Sequence, residues 1–253
     1  LGHLSLIADD KNNYNPVIIL CQLFLTGLNY TQVLTVIIKC CIGKTGFMLP
    51  KKPMAKINRI AVVQFYFYTD ISAVSQMLYD LLTEVCRDSS MDITVFAGSS
   101  SYNTERYKKK GACSLRPNLH IRRVRTFNFG KKSFITRLLD YSLYYLFIFF
   151  YFLFNSKKWD AIVCLTSPPF IAYILALALS LKKRRNFIYY IQDLYPEIVY
   201  DLHYIRIPWL IRKMQLLNSF TFKRVARIIT IGKSMTDKLR NHYALNRCKI
   251  TEI

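Results

Sequence analysis

The stretch FIYYIQDLYPE, residues 187–197, is apolar or aromatic from Phe187 to Ile191 and then delivers Gln192, Asp193, Tyr195 and Glu197 in close succession. A strand with no polar alternation is covered on both faces, which is the situation of a strand inside a parallel sheet. Its carboxyl end is where such sheets hold ligands. Carboxylates and amides clustered at that edge can meet the hydroxyls of a sugar-like ligand. The simpler reading of Asp193 is an N-cap for a helix that follows.

The pattern repeats on either side. Strands are predicted at Ile60–Phe65, Asp92–Ala97, Leu119–Val124, Ala161–Leu165 and Arg227–Ile231, with a last one near Ile250. Helical spacing of apolar residues predicts helices over Ile71–Cys86, Phe134–Phe154, Pro168–Leu181, Pro208–Arg224 and Ser234–His242. Apolar strands alternating with helices predict an α/β fold, a Rossmann-like doubly wound parallel sheet over residues 57–250 with the last strand at its edge. Four strand-to-helix junctions carry polar chemistry: Tyr66–Gln76 (YFYTDISAVSQ), Thr166–Pro169 (TSPP), Gln192–Glu197, and Gly232-Lys233-Ser234. At two of them a structural role competes. Ser167 would cap a helix opened by Pro168, and Gly232 would make a turn before a capping Ser234.

Composition bounds the partners. The 253 residues carry 36 Lys and Arg against 15 Asp and Glu, a formal net charge of +21, which calls for an anionic partner. No helix-turn-helix or aromatic RNA motif accompanies the charge, so nucleic acid is not expected. Basic pairs instead flank an uncharged run: Lys131 and Lys132 precede, and Lys157 and Lys158 follow, Leu143–Phe154. That is a membrane-surface pattern, and twelve residues rise only about 18 Å, too short to cross. The helix is expected to lie on an anionic membrane face with Phe149 and Phe152 inserted. The alternative is a core helix, which is equally apolar all round.

Seven cysteines show no C-x-x-C pair, so no zinc site and no disulfide framework is expected. Gly43-Lys44-Thr45 lacks the earlier glycine of a P-loop, since position 38 is Ile, and no G-x-G-x-x-G occurs. No cofactor and no metal are therefore expected. Residues 1–53 form an amino-terminal extension whose apolar part, Val17–Ile38, is near the ~20 residues of a spanning helix. It is either a membrane anchor, with the rest of the chain cytoplasmic by the positive-inside rule, or upstream sequence without a selected role.

From about Arg59 onward the chain resembles the family 4 glycosyltransferases of bacterial O-antigen and capsule synthesis. The resemblance rests on YFYTDISAVSQ, on VFAGSSSYN (Val95–Asn103), on LTSPPF (Leu165–Phe170), on IQDLYPEIVYDL (Ile191–Leu202) and on ITIGKSM (Ile229–Met235), in that order. It implies the amino-terminal, acceptor-binding half of a GT-B enzyme, residues 54–253, acting without metal and with retention of configuration. A nucleotide-sugar is the implied co-substrate, and a saccharide or lipid-linked acceptor the second partner. The carboxy-terminal donor domain is expected to be absent, leaving the half inactive alone. Carried over, the cleft-facing loops point to Tyr68, Asp70, Ser72, Gln192, Asp193 and Glu197; Ser167 and Gly232 join the substrate candidates from their own junctions, and Asp193, a carboxylate able to orient the attacking hydroxyl, is taken as catalytic. Thr69 stands where proline is usual and Ser75 where glycine is common, which would hold a phosphate less closely. The reading of a different class is a non-catalytic domain that binds a membrane surface or a lipid-linked saccharide.

Overall fold

The computed structural model describes residues 58–68, 70, 72–88, 91–98, 116–127, 134–201, 207–245 and 249–252. The apolar segment Val17–Ile38 lies outside them. Seven strands, β1 (Arg59–Val63), β2 (Asp92–Gly98), β3 (Leu119–Val124), β4 (Ala161–Cys164), β5 (Phe187–Ile191), β6 (Arg227–Thr230) and β7 (Ile250–Glu252), form one sheet. Their order is β3-β2-β1-β4-β5-β6-β7, and every pairing is parallel. This is the Rossmann-like arrangement expected, with β7 at the edge. The order turns around between β1 and β4, and it is beside such a switch point that α/β sheets open a crevice.

Six helices connect the described strands: α1 (Ala73–Asp88), α2 (Phe134–Asn155), α3 (Ile171–Leu181), α4 (Glu197–Asp201), α5 (Pro208–Arg224) and α6 (Lys233–Tyr243). Leu78, Leu81, Leu82 and Val85 of α1 bury against one face of the sheet with Val62, Val95 and Tyr190. Helices α2, α3 and α5 cover the other face, where Tyr144, Ile148, Phe152, Leu175 and Phe222 join Phe96, Ile162 and Phe187. Burying each such side chain contributes roughly 1.5–3 kcal/mol. Every residue of β4 and of β5 is buried, as their unbroken apolar sequences require.

Several boundaries differ from the sequence reading. Helix α3 begins at Ile171 rather than Pro168, and its N-cap is Phe170 in the left-handed region (φ 63°). Ser167 therefore does not cap it; its carbonyl accepts the amide of Phe65 at 3.1 Å, extending the β1–β4 contact beyond both strands. Helix α6 begins at Lys233 with Gly232 as its N-cap, so Ser234 lies inside the helix and caps nothing. At the end of β5 a single turn, α4, intervenes that apolar periodicity could not reveal, being too short to show a period.

Helix α2 corrects a further expectation. Phe152 is fully buried and packs edge-on to Phe96, so it cannot enter a membrane. Tyr144, also fully buried, donates its hydroxyl to the carbonyl of Phe96 at 2.8 Å. The inner side of α2 is thus part of the core.

Candidate functional site

The carboxyl ends of β1, β4, β5 and β6 carry the junctions singled out in the sequence. The loop after β1 is fixed from three sides. Asp70, 5% exposed, accepts the amide of Phe67 at 3.2 Å and lies 3.9 Å from Arg123 of β3. Arg123 also donates to the carbonyls of Gly98, at 2.9 Å, and of Tyr68. Burial lowers the pKa of this guanidinium, and Asp70 opposes that shift. Asp70 thus serves as the counter-ion that folds its own loop. The Tyr68 ring stacks on Tyr79 of α1, centroids 4.6 Å apart. Ser72 is the N-cap of α1, its Oγ accepting the amide of Ser75 at 3.1 Å.

Gly98 explains part of VFAGSSSYN. A Cβ there would come within 2.5 Å of the Phe65 ring, and the Gly98 amide donates to the Phe65 carbonyl at 2.9 Å. Phe65 in turn meets Tyr66, Tyr141 and Tyr144 edge-on, with centroids 5.0–5.1 Å apart. The hydroxyls of Tyr66 and Tyr141 lie 2.9 Å apart beside it. Tyr141, Tyr144 and Arg123 are not marked in the sequence, because they come from α2 and β3, which meet the β1 loop only through tertiary structure.

Thr166, 3% exposed, organises the next junction. Its Oγ1 accepts the amide of Gln192 at 2.9 Å and lies 3.5 Å from that of Asp193, so the end of β4 holds the end of β5. The polar residues that follow β5 then diverge. Gln192 keeps the alternation of Tyr190 and turns toward α1: its Nε2 lies 4.0 Å from Met77 Sδ, and it bonds the Tyr190 hydroxyl. Asp193 lies in the bend after β5, near enough to Tyr189 for its charge to be felt there. Burial is the main cause of the raised Tyr189 pKa, and the field of Asp193 adds to it. Glu197, the first residue of α4, is drawn away toward α5 and α6. Its Oε1 accepts the hydroxyl of Tyr243 at 2.6 Å, and Asn218 donates to that same hydroxyl at 3.3 Å and to the Tyr195 carbonyl.

The carboxylates consequently have different standing. Asp70 and Glu197 are engaged by protein groups. Asp193 is half-buried, and no hydrogen bond or ion pair among the described residues engages its carboxylate. Burial alone raises its pKa above the ordinary carboxylate value. Beside it runs the loop from β4 into α3, which begins at Thr166, 3.5 Å from the Asp193 amide. Tyr145 of α2 donates its hydroxyl to the Pro169 carbonyl at 2.5 Å, and the ring of Phe170 faces Tyr195, centroids 6.5 Å apart. Those contacts hold Phe170 in its left-handed conformation, uncommon for a bulky residue and concentrated at ligand sites.

Gly232 has extended backbone, and a Cβ there would meet nothing within 4 Å, so neither conformation nor crowding demands a glycine. The amide of Thr236 closes the first turn of α6 on its carbonyl at 3.1 Å, and Thr236 and Thr230 share a 2.7 Å hydroxyl bond. Among the described residues no group of three His, Cys, Asp or Glu could hold a metal ion. Cys86 and Cys164 are free and buried; burial pushes the Cys86 thiol up to about 11, so it stays protonated and inert near neutrality.

A doubly wound parallel sheet with polar residues gathered at the carboxyl ends of its strands, lacking a glycine-rich dinucleotide loop, defines the class: a Rossmann-like domain, whose ligands are held at the carboxyl edge. The family model for Glycosyltransferase Family 4 matches residues 71–253, and the chain belongs to that family. No curated protein matches it significantly. The family transfers sugars, so a nucleotide-sugar donor and an acceptor are its partners in general terms.

Proposed function

We propose that this domain is the acceptor-binding half of a retaining glycosyltransferase that moves a sugar from a nucleotide-sugar to a lipid-linked saccharide in bacterial surface-polysaccharide synthesis. It works at the cytoplasmic face of the plasma membrane, and a donor domain completes the cleft. The family match supports the transfer chemistry, and the order of the motifs supports the subgroup. One observation carries the placement of the chemistry: of the carboxylates at the carboxyl edge, Asp193 is accessible and unengaged, whereas Asp70 and Glu197 are held in internal contacts. A half-buried carboxylate in a crevice can accept a hydrogen bond from the attacking acceptor hydroxyl and orient it. Transfer also requires groups that stabilise charge on the departing phosphate, and the donor domain is their source in this reading. The aromatic wall of Tyr66, Tyr141 and Phe170 suits the apolar faces of sugar rings.

Saturation-transfer NMR on the purified chain with a panel of saccharides and lipid-linked saccharides tests this. Binding that Asp193→Ala weakens supports the reading. Binding to none of them, with retained binding to vesicles, would establish instead the non-catalytic membrane-surface domain, a reading favoured only by the exposed apolar side of α2.

A further inference from the structure

Helix α2 has two sides of opposite character. Its inner positions Asp140, Tyr144, Ile148 and Phe152 are all buried, as is Ser156 in the turn that follows. Its outer positions follow the same four-residue step and are exposed: Leu146 at 54%, Phe150 at 51% and Phe154 at 72%. The end of α3, whose next residue Lys182 reaches the Phe154 ring, exposes Leu181 at 61%. Isolated exposed apolar residues are ordinary, but an uninterrupted row of large ones marks an interaction surface.

The charge around that row selects its occupant. Lys157 and Lys158 are exposed directly after α2. Lys182, exposed after α3, holds its ammonium 5.9 Å from the centre of the Phe154 ring, so cation and apolar row form one surface. Asp160, the nearest acid in sequence, is engaged by the amides of Asn58 and Arg59 at 3.0 and 2.9 Å. Apolar side chains bordered by lysines, with no free acid between them, match the boundary between acyl chains and anionic headgroups.

Of the described helices, α2 with the turn after it, Leu138–Lys158, is the one long and apolar enough to cross a bilayer, with a mean hydropathy of 1.4. Crossing would strip the fully buried Tyr144, Ile148 and Phe152 from the sheet and lose the stabilisation of their burial. The helix stays on the sheet and offers lipid only its outer side.

We infer that α2 docks the domain in the plane of an anionic bilayer through Leu146, Phe150, Phe154 and Leu181, with Lys157, Lys158 and Lys182 on the headgroups. This rests on the membrane placement proposed above and gives it a defined face. The bond from Tyr145 to Pro169 then ties the membrane-held helix to the loop beside Asp193, which brings the crevice near the depth at which a lipid-linked acceptor presents its saccharide.

The test uses the full chain and vesicles of phosphatidylcholine with or without phosphatidylglycerol. Phe150→Trp on a Trp209→Phe background, with the spectrum of the Trp209→Phe parent and its buried Trp159 subtracted, reports from the outer side of α2. Its emission is expected to shift to the blue, and to be quenched by brominated acyl chains, only with the anionic vesicles. Leu146→Ser with Phe154→Ser, both exposed and checked for retained circular dichroism, is expected to weaken co-sedimentation by about tenfold or more. Emission unmoved by vesicles overturns the inference. So does emission already blue-shifted without them, the signature of a covering protein segment such as residues 17–38, or undiminished sedimentation of the double variant. Neither readout involves sugar transfer. Its failure leaves the transferase reading standing, and loss of acceptor binding with vesicle binding intact would count against that reading alone.

Discussion

Thr166 at the end of β4 accepts the backbone amide of Gln192 at the end of β5 at 2.9 Å, and this one hydroxyl fixes where the chain leaves the sheet to present Asp193. Thr166→Val removes the acceptor and leaves a half-buried amide without it, which costs about 1–3 kcal/mol. Thr166→Ser restores the acceptor and is expected to recover most of that stability. Denaturant titration of the two variants separates the hydroxyl from the packing of the methyl group.

Asp193→Asn, in this domain joined to a family donor domain by fusion or co-expression, is expected to lower turnover by about a hundredfold, the scale of a positioned proton acceptor. Near-wild-type turnover would assign the residue to structure.

The same variant makes a pH prediction. The folded-state pKa of Asp193 is raised, so the folded domain holds this proton more tightly than the unfolded chain does. Any stability gained from the proton is present below the unfolded carboxylate pKa of about 3.9 and is lost as pH rises through the folded value. Asn carries no such penalty. Asp193→Asn should melt slightly above wild type at neutral pH, and the gap should close in acid. A variant that melts lower at neutral pH would show that the carboxylate stabilises the fold.

Tyr243 and Glu197 join the last turn of α6 to the first residue of α4 through a 2.6 Å bond, with Glu197 only 9% exposed. Tyr243→Phe strands the carboxylate oxygen and is expected to cost about 1.5–3 kcal/mol. In a Glu197→Gln background the same change should cost less, and a double-mutant cycle measures the coupling. Equal costs in both backgrounds would show that the bond is not what stabilises this corner.

Phe152 and Phe150 are two residues apart on α2 and sit on opposite sides of it. Phe152→Ala opens a cavity under the sheet and is expected to cost about 3–5 kcal/mol. Phe150→Ser should change stability by only about 0.5 kcal/mol, as for other exposed positions. Thermal melts of the pair check the orientation of the helix independently of any membrane.

The sequence by itself determined the fold class and the place to look for chemistry. Apolar strands such as Phe187–Ile191 and Ala161–Cys164 have no polar face to show solvent, so they must sit inside a parallel sheet, and the polar residues that follow must stand at its edge. It could not determine how those residues would be used. Gln192 and Asp193 are neighbours in the chain, yet Gln192 reaches Met77 of α1 while the charge of Asp193 is felt at Tyr189. Asp70 is absorbed by Arg123, which arrives from another strand, and Glu197 by Tyr243, which arrives from another helix. Phe150 and Phe152 look alike in a uniformly apolar run. Which of them faces the core was decided by the packing of α2 against the sheet, because local periodicity carries no phase when every position is apolar.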